Sequence, residues 1–215
     1  MGVQKIELSF LCSLLTLKDM PTTVKVRRSP TRLRPFPQGL TMAYIGAGKG
    51  KTTAAVGVAT RALGYGWKVL FFQFFKSPQW PSGERNALRK LGADVQVYGE
   101  GFVGILGDNK PLAQHQQAAK QALARAWKLI ASGKYQLVVM DEVISCLEQK
   151  LFSVSTLGAF LKARANHPKA KRVHLVLTGH EKYPAILKYC DLVSEMKMVK
   201  HPYYQGFIAV KGIDY

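Results

Sequence analysis

Acidic side chains are scarce in this sequence. Thirteen Asp and Glu stand against 31 Lys and Arg in 215 residues, a formal net charge of +18. Such an imbalance argues against a basic partner and attracts polyanions, whether nucleic acid, anionic membrane or nucleotide phosphate, without choosing among them. Cysteine is also scarce. Cys12, Cys146 and Cys190 are odd in number and far apart, which excludes a disulfide framework and any paired-cysteine metal spacing. Reduced thiols in a reducing compartment, the cytoplasm, are the expectation. Long apolar runs are missing too. The stretch "LSFLCSLLTL", residues 8–17, is about half the length that spans a bilayer. No small-x-small cleavage site follows it, so neither export nor a membrane partner is expected.

What is present suits one domain with a single sizeable core. Residues 21–40 hold Pro21, Pro30, Pro35 and Pro37 with Arg27, Arg28, Arg32 and Arg34, and no acid. This composition reads as a flexible or extended arm. The division is therefore a basic extension over residues 1–40 and a compact domain over 41–215. Within that domain, strands and helices alternate. "TMAYIG" is a short apolar run, and Lys51 to Leu63 carries helical periodicity that stops at Gly64 and Gly66. Apart from its Lys and Gln, "KVLFFQFF" is apolar, as expected of a parallel strand covered on both faces. A short helix over Glu84 to Leu91 precedes a strand at "ADVQVYG", and Pro111 to Ile130 forms a long helix with Leu112, Ala119, Leu123, Ala126 and Ile130 as one stripe. "YQLVVMDE", "RVHLVLTG" and "GFIAVKG" are candidate further strands. This rhythm predicts an α/β fold of three layers, αβα, with a mostly parallel sheet.

Chemistry concentrates at two places. In "YIGAGKGKTTAAVG", residues 44–57, Gly46, Gly48 and Gly50 follow a strand and precede a helix. This is the context that gives a phosphate-binding loop its meaning, although only three residues, not four, separate Gly46 from Gly50. Glycines let amides converge on phosphate oxygens, and the helix N-terminus adds partial positive charge. Lys51 would neutralise phosphate and the Thr52 hydroxyl would ligate Mg²⁺. At the end of "LVVMDE", Asp141 and Glu142 fall at the carboxyl edge of the sheet, where open α/β sheets bind ligands. An acidic residue there completes a Mg²⁺ shell, with a helix N-cap as its plain alternative.

These segments resemble the P-loop type of corrinoid adenosyltransferases, the ATP:cob(I)alamin adenosyltransferases. The resemblance extends to "YGEGF", "VVMDEV", "LVLTGH", "DLVSEMKMVKHPYYQGF" and the terminal "KGIDY", in the family's order over about residues 42–215. It implies a P-loop NTPase-like fold and the family's own short loop, Gly-Asn-Gly-Lys-Gly-Lys-Thr-Thr. The activity it implies is transfer of the 5′-deoxyadenosyl group of ATP to the Co(I) of a corrinoid, with release of triphosphate, in adenosylcobalamin synthesis or salvage. Gly46, Ala47, Gly48, Lys49, Gly50, Lys51, Thr52 and Thr53 would then hold the nucleotide. Thr52, Asp141 and Glu142 would serve Mg²⁺, with Asp141 as support. Lys51 and Phe102 would carry catalysis, Phe102 by occupying the lower face of the corrin. The family also implies a homodimer.

Three departures stand near the site: Ala47 for the loop asparagine, Val103-Gly104 where Thr-Trp is usual, and His180 for an arginine. Two other readings follow from the sequence: a P-loop ATPase acting on nucleic acid, and a non-catalytic corrinoid-binding relative. Against the first, the positive charge is diffuse and no stacking module stands out. Residues 161–172, "LKARANHPKAKR", carry cations and no acid. They read as a solvated helix end and loop, with docking of a flavodoxin-like or flavin reductant as the alternative. His174, in an apolar strand, is expected to be a hydrogen-bonded core or sheet-surface histidine.

Overall fold

Short β-rich runs divided by helical stretches favour parallel pairing through crossover helices, which buries the central strands. The computed structural model describes residues 34–101, 103–104 and 108–215. In chain order the main elements are β1 (Thr41–Ile45), α1 (Lys51–Gly64), β2 (Val69–Gln73), α2 (Gly83–Lys90), β3 (Asp94–Val97), α3 (Leu112–Ala131) and β4 (Leu137–Asp141). There follow α4 (Ser145–Glu148), α5 (Val154–Asn166), β5 (His174–Thr178), α6 (Pro184–Leu187) and β6 (Leu192–Glu195). The six strands form one sheet in the order β3-β2-β4-β5-β1-β6. All of its pairings are parallel. Every strand therefore ends at the same edge, which is where an open α/β sheet holds its ligands.

Each position of β2 and β4 is buried. Successive side chains feed opposite faces. Leu70, Phe72, Val138 and Met140 join the core beneath α3 and α5. Val69, Phe71, Leu137 and Val139 join the core beneath α1, where Ala55, Ala59 and Ala62 keep the helix close to the sheet. The buried face of α3 includes Ala119, Leu123, Ala126 and Ile130 as expected. Leu112 is exposed instead, and His115 takes the first-turn buried position.

Three further features differ from the sequence reading. "GFIAVKG" is not a strand: glycines at its two ends, Gly206 and Gly212, adopt φ of +81° and +85°, and such values break an extended run. The sixth strand is β6 instead, an edge strand exposed at all four positions and so without the alternation that marks a half-buried strand. Within residues 161–172, Lys162, Lys169, Lys171 and Arg172 are exposed, but Arg164 is buried. Its guanidinium donates to Thr41 Oγ1 (2.9 Å), Gly39 O (2.7 Å) and Val173 O, tying α5 to the starts of β1 and β5.

His174 behaves as expected. Its Nδ1 accepts from Leu40 N at 3.0 Å and its ring stacks on Trp67. Cys146 and Cys190 are free thiols; burial pushes both upward in pKa, Cys190 to about 11. No described helix is long and apolar enough to cross a membrane. The expectations for residues 1–33 and for Phe102 lie outside the described residues.

Candidate active site

Between β1 and α1 the chain turns through Gly46 and Gly50, whose φ values of +104° and +113° lie in the left-handed region that glycine adopts without strain. Gly48 is required for a different reason. A Cβ there would lie 2.7 Å from the backbone of both Met196 and Lys197, just after β6. Two of the loop amides are already paired within the fold. Gly46 N donates to His180 O (2.8 Å) and Gly48 N to Met196 O (2.7 Å), so these two serve the fold and not a ligand. The amides of Lys51, Thr52 and Thr53 open α1 and have no acceptor within the helix. The first helical bond comes from Ala54 N to Gly50 O at 2.8 Å. Lys51 is buried, and its ammonium donates to Gly46 O (2.7 Å) and Gly48 O (2.9 Å). Burial draws its pKa down, against the raising charges of Glu142, Asp141 and Glu148.

Behind the loop lies a polar network on the ends of β2, β4 and β5. Asp141 is fully buried. Its Oδ1 accepts from Thr52 Oγ1 (3.0 Å) and Thr178 Oγ1 (2.9 Å), and its Oδ2 from Gln73 Nε2 (3.0 Å). Gln73 Oε1 in turn accepts from Arg85 Nε at 2.6 Å. Burial, and next the Glu142 charge, push the Asp141 carboxyl above its ordinary pKa. Glu142 has φ 62°, a strained value for a side chain with a Cβ. It is held there by its amide donating to Thr178 Oγ1 at 2.7 Å. Ser145 Oγ donates to the Glu142 carboxylate and lies 3.3 Å from His180 Nδ1.

The loop floors a cleft of about 550 Å³. Ala47, Gly48, Lys49, Gly50, Lys51, Thr52, Thr53 and Glu142 all line it, as does His180. Of the residues singled out in the sequence, Gly46 and Asp141 sit behind this lining. Among the described residues no group of three His, Cys, Asp or Glu is arranged to hold a metal by itself.

Sequence reasoning missed several participants. Gln73 was hidden in an apolar strand, and only its polarity within "VLFFQFF" could have marked it. Lys76 was missed as well; it pairs at 3.0 Å with Glu84, which the sequence offered only as a support to the site, and the two form one side of the cleft. His201, Tyr203, Tyr204 and Gly212 to Tyr215, in segments that carried the resemblance without an assigned role, form another.

The arrangement offers polyphosphate a helix N-terminus, one buried lysine and a hydroxyl oriented by a buried carboxylate. Comparison with known proteins agrees. A model of the family described as ATP:corrinoid adenosyltransferase BtuR/CobO/CobP matches residues 37–215. The chain is 35% identical over 178 residues to the corrinoid adenosyltransferase of Escherichia coli (strain K12), covering 83% of this chain and 86% of that one. It is 34% identical over 182 residues to corrinoid adenosyltransferase CobA of Salmonella typhimurium, covering 83% and 86%. To the corrinoid adenosyltransferase of Pseudomonas aeruginosa it is 33% identical over 180 residues, covering 83% and 84%. These matches span the whole sheet and its phosphate loop, and the chain belongs to the ATP:corrinoid adenosyltransferase family.

Proposed function

We propose that this chain transfers the 5′-deoxyadenosyl group of ATP to the reduced cobalt of a corrinoid substrate and releases triphosphate, in adenosylcobalamin synthesis or salvage. The observation that carries the reading is the union of a phosphate loop, buried Lys51 and the Thr52–Asp141 contact at one strand edge. Triphosphate is a leaving group bearing about four negative charges, and stabilising it calls for cations and aimed donors more than for a general base. The α1 amides and Lys51 supply these. Lys51 needs only to exchange the carbonyls of Gly46 and Gly48 for phosphate oxygens.

A hard divalent cation takes oxygen ligands, and the donors at the cleft fit Mg²⁺. The Thr52 hydroxyl donates its hydrogen bond to Asp141, which leaves its oxygen lone pairs for a cation. Glu142 adds a carboxylate from the strained turn. Asp141, with both oxygens already occupied by donors, orients Thr52 from behind. Bound there, Mg²⁺ would neutralise phosphate charge. Free thiols and a need for ATP support a cytoplasmic setting. The exposed cations Lys162, Lys169, Lys171 and Arg172 support docking of an acidic reductant. Neither the nucleic-acid ATPase nor the non-catalytic relative is favoured by the family match.

The test supplies purified protein with ATP, Mg²⁺ and chemically generated cob(I)alamin in the dark. The expected product is photolabile adenosylcobalamin. Corrinoid binding without that product would sink the proposal in favour of a non-catalytic relative.

A further inference from the structure

The two lysines of Gly-Lys-Gly-Lys send their charges in different directions. Lys51 folds back over the loop carbonyls. Lys49 turns outward, its Nζ 3.1 Å from Asp214 Oδ1 and 3.3 Å from Ile213 O. Asp214 is itself held in place. Its Oδ2 accepts from Val210 N at 2.7 Å and its own amide donates to Val210 O at 2.8 Å. Gly212, at φ +85°, closes the same turn by donating to Tyr215 O at 2.9 Å. One carboxylate oxygen therefore fixes its own turn while the other faces the phosphate loop. Past that turn, Tyr215 O lies 3.8 Å from where a Cβ on Gly83 would stand, so residues 212–215 cross from the loop to the start of α2.

This strap is a wall of the cleft with a character of its own. Tyr203, Tyr204, Ile213 and Tyr215 face the cleft from this side, with the Tyr203 and Tyr204 rings edge to face at 5.7 Å. Lys51, Thr52 and Glu142 line the floor. The volume of about 550 Å³ exists with the strap in place, and it lies within the range of about 300–1,000 Å³ usual for small-molecule sites. A nucleotide thus has room without displacing the strap. Flat, apolar chemistry belongs against the aromatic wall, and polyphosphate against the floor.

Resting on the reading of this cleft as a nucleotide site, we propose that Asp214 is a positioning residue. By holding Lys49 it fastens the C-terminal segment as the wall on the nucleoside side. Lys49 is therefore the fastening and not a second phosphate ligand, and Lys51 alone of the two lysines reads the triphosphate.

The experiment compares Lys49→Gln, Asp214→Asn, their combination and Lys51→Ala in the full chain, titrated calorimetrically with ATP and with inorganic tripolyphosphate. Lys49→Gln and Asp214→Asn should each weaken ATP by about fivefold, the upper end for a partly exposed ion pair, and change tripolyphosphate by less than about twofold. The double variant should be no worse than either single one, because both remove the same contact. Lys51→Ala should weaken tripolyphosphate by about tenfold or more, as expected when a charged hydrogen-bonding partner is lost. Asp214→Glu should recover part of the ATP affinity. If Lys49→Gln weakened tripolyphosphate as much as ATP, Lys49 would be a phosphate ligand and the proposal overturned. Unchanged ATP affinity in both single variants would overturn it equally. Should one variant fail to fold, the other reads the same contact. Failure of the wild-type chain to form adenosylcobalamin would strike the proposed function alone, because these titrations require no turnover.

Discussion

The two walls of the cleft are built to opposite standards. On the sheet side, Lys51, Gln73, Asp141 and Thr178 are buried and each has at least two polar partners. On the other side, Tyr203, Tyr204 and Ile213 are 71%, 73% and 73% exposed. That segment is joined to the loop by Met196 N on Ile45 O, Gly48 N on Met196 O, and Lys49 on Asp214. The contrast assigns different duties. Stabilising a departing triphosphate requires donors that need no rearrangement at the moment of reaction, and only the buried wall can supply those. A lightly held wall has low local stability and can yield while substrates enter and leave.

The largest expected effect tests the buried wall. Lys51→Ala should lower adenosyl transfer by about 10²–10³-fold, the range for losing one preorganised electrostatic contact. Its thermal midpoint should stay near that of the parent, because the ammonium bonds only to loop carbonyls. Near-normal turnover would mean that the buried wall does not hold the departing triphosphate. Next comes Gln73→Leu, which leaves Asp141 Oδ2 and Arg85 Nε without their partner. Denaturant unfolding should show a loss of about 2–4 kcal/mol, since both stranded groups are buried and ionisable. A loss below about 1 kcal/mol would mean the network is not what makes this wall rigid.

Gly48→Ala probes the seam between the walls. Its Cβ would meet the backbone at Met196 and Lys197, and forcing that contact should cost about 1–3 kcal/mol. Hydrogen exchange should locate the disturbance at residues 196–198; a variant as stable as the parent would show that the seam gives way freely. The smallest effect concerns acid. The Val210 amide, and next Lys49, hold the Asp214 carboxyl below its ordinary 3.8. A depressed carboxyl contributes where it is ionised, above 3.8, and that contribution is lost as pH falls through its folded value. Proteolytic protection of residues 207–213 should therefore be flat between about pH 5 and 8 and fail only in stronger acid. Loss of protection near neutrality would assign the fastening to another group.

The buried wall was largely legible in the sequence, and the light wall was not. Lys51 and Thr52 lie in one contiguous motif, and Asp141 and Glu142 end an apolar run, so local pattern was enough to place them. Gln73 was invisible in its meaning because its partners are 12 and 68 residues away. β6 escaped because an edge strand exposed on both faces carries no alternation. "GFIAVKG" misled for the converse reason: it is apolar enough for a strand, yet it lies beyond the sheet between two glycines of positive φ. Arg164 was read as one solvated cation among several, and only folding sets it against the carbonyls of Gly39 and Val173. The resemblance extended to the terminal "KGIDY", but its place in the cleft depends on a return from residue 214 to residue 49 that no local signal announces.

The decisive observation is which bond in ATP breaks. Phosphorus-31 NMR of the products from ATP, Mg²⁺ and cob(I)alamin, with the parent chain and Lys51→Ala side by side, reads this without reference to the corrinoid. The proposed adenosyl transfer requires intact triphosphate in step with adenosylcobalamin from the parent, and neither from the variant. ADP and orthophosphate from the parent chain would contradict it, and would make the buried wall the site of an ordinary phosphoanhydride hydrolase.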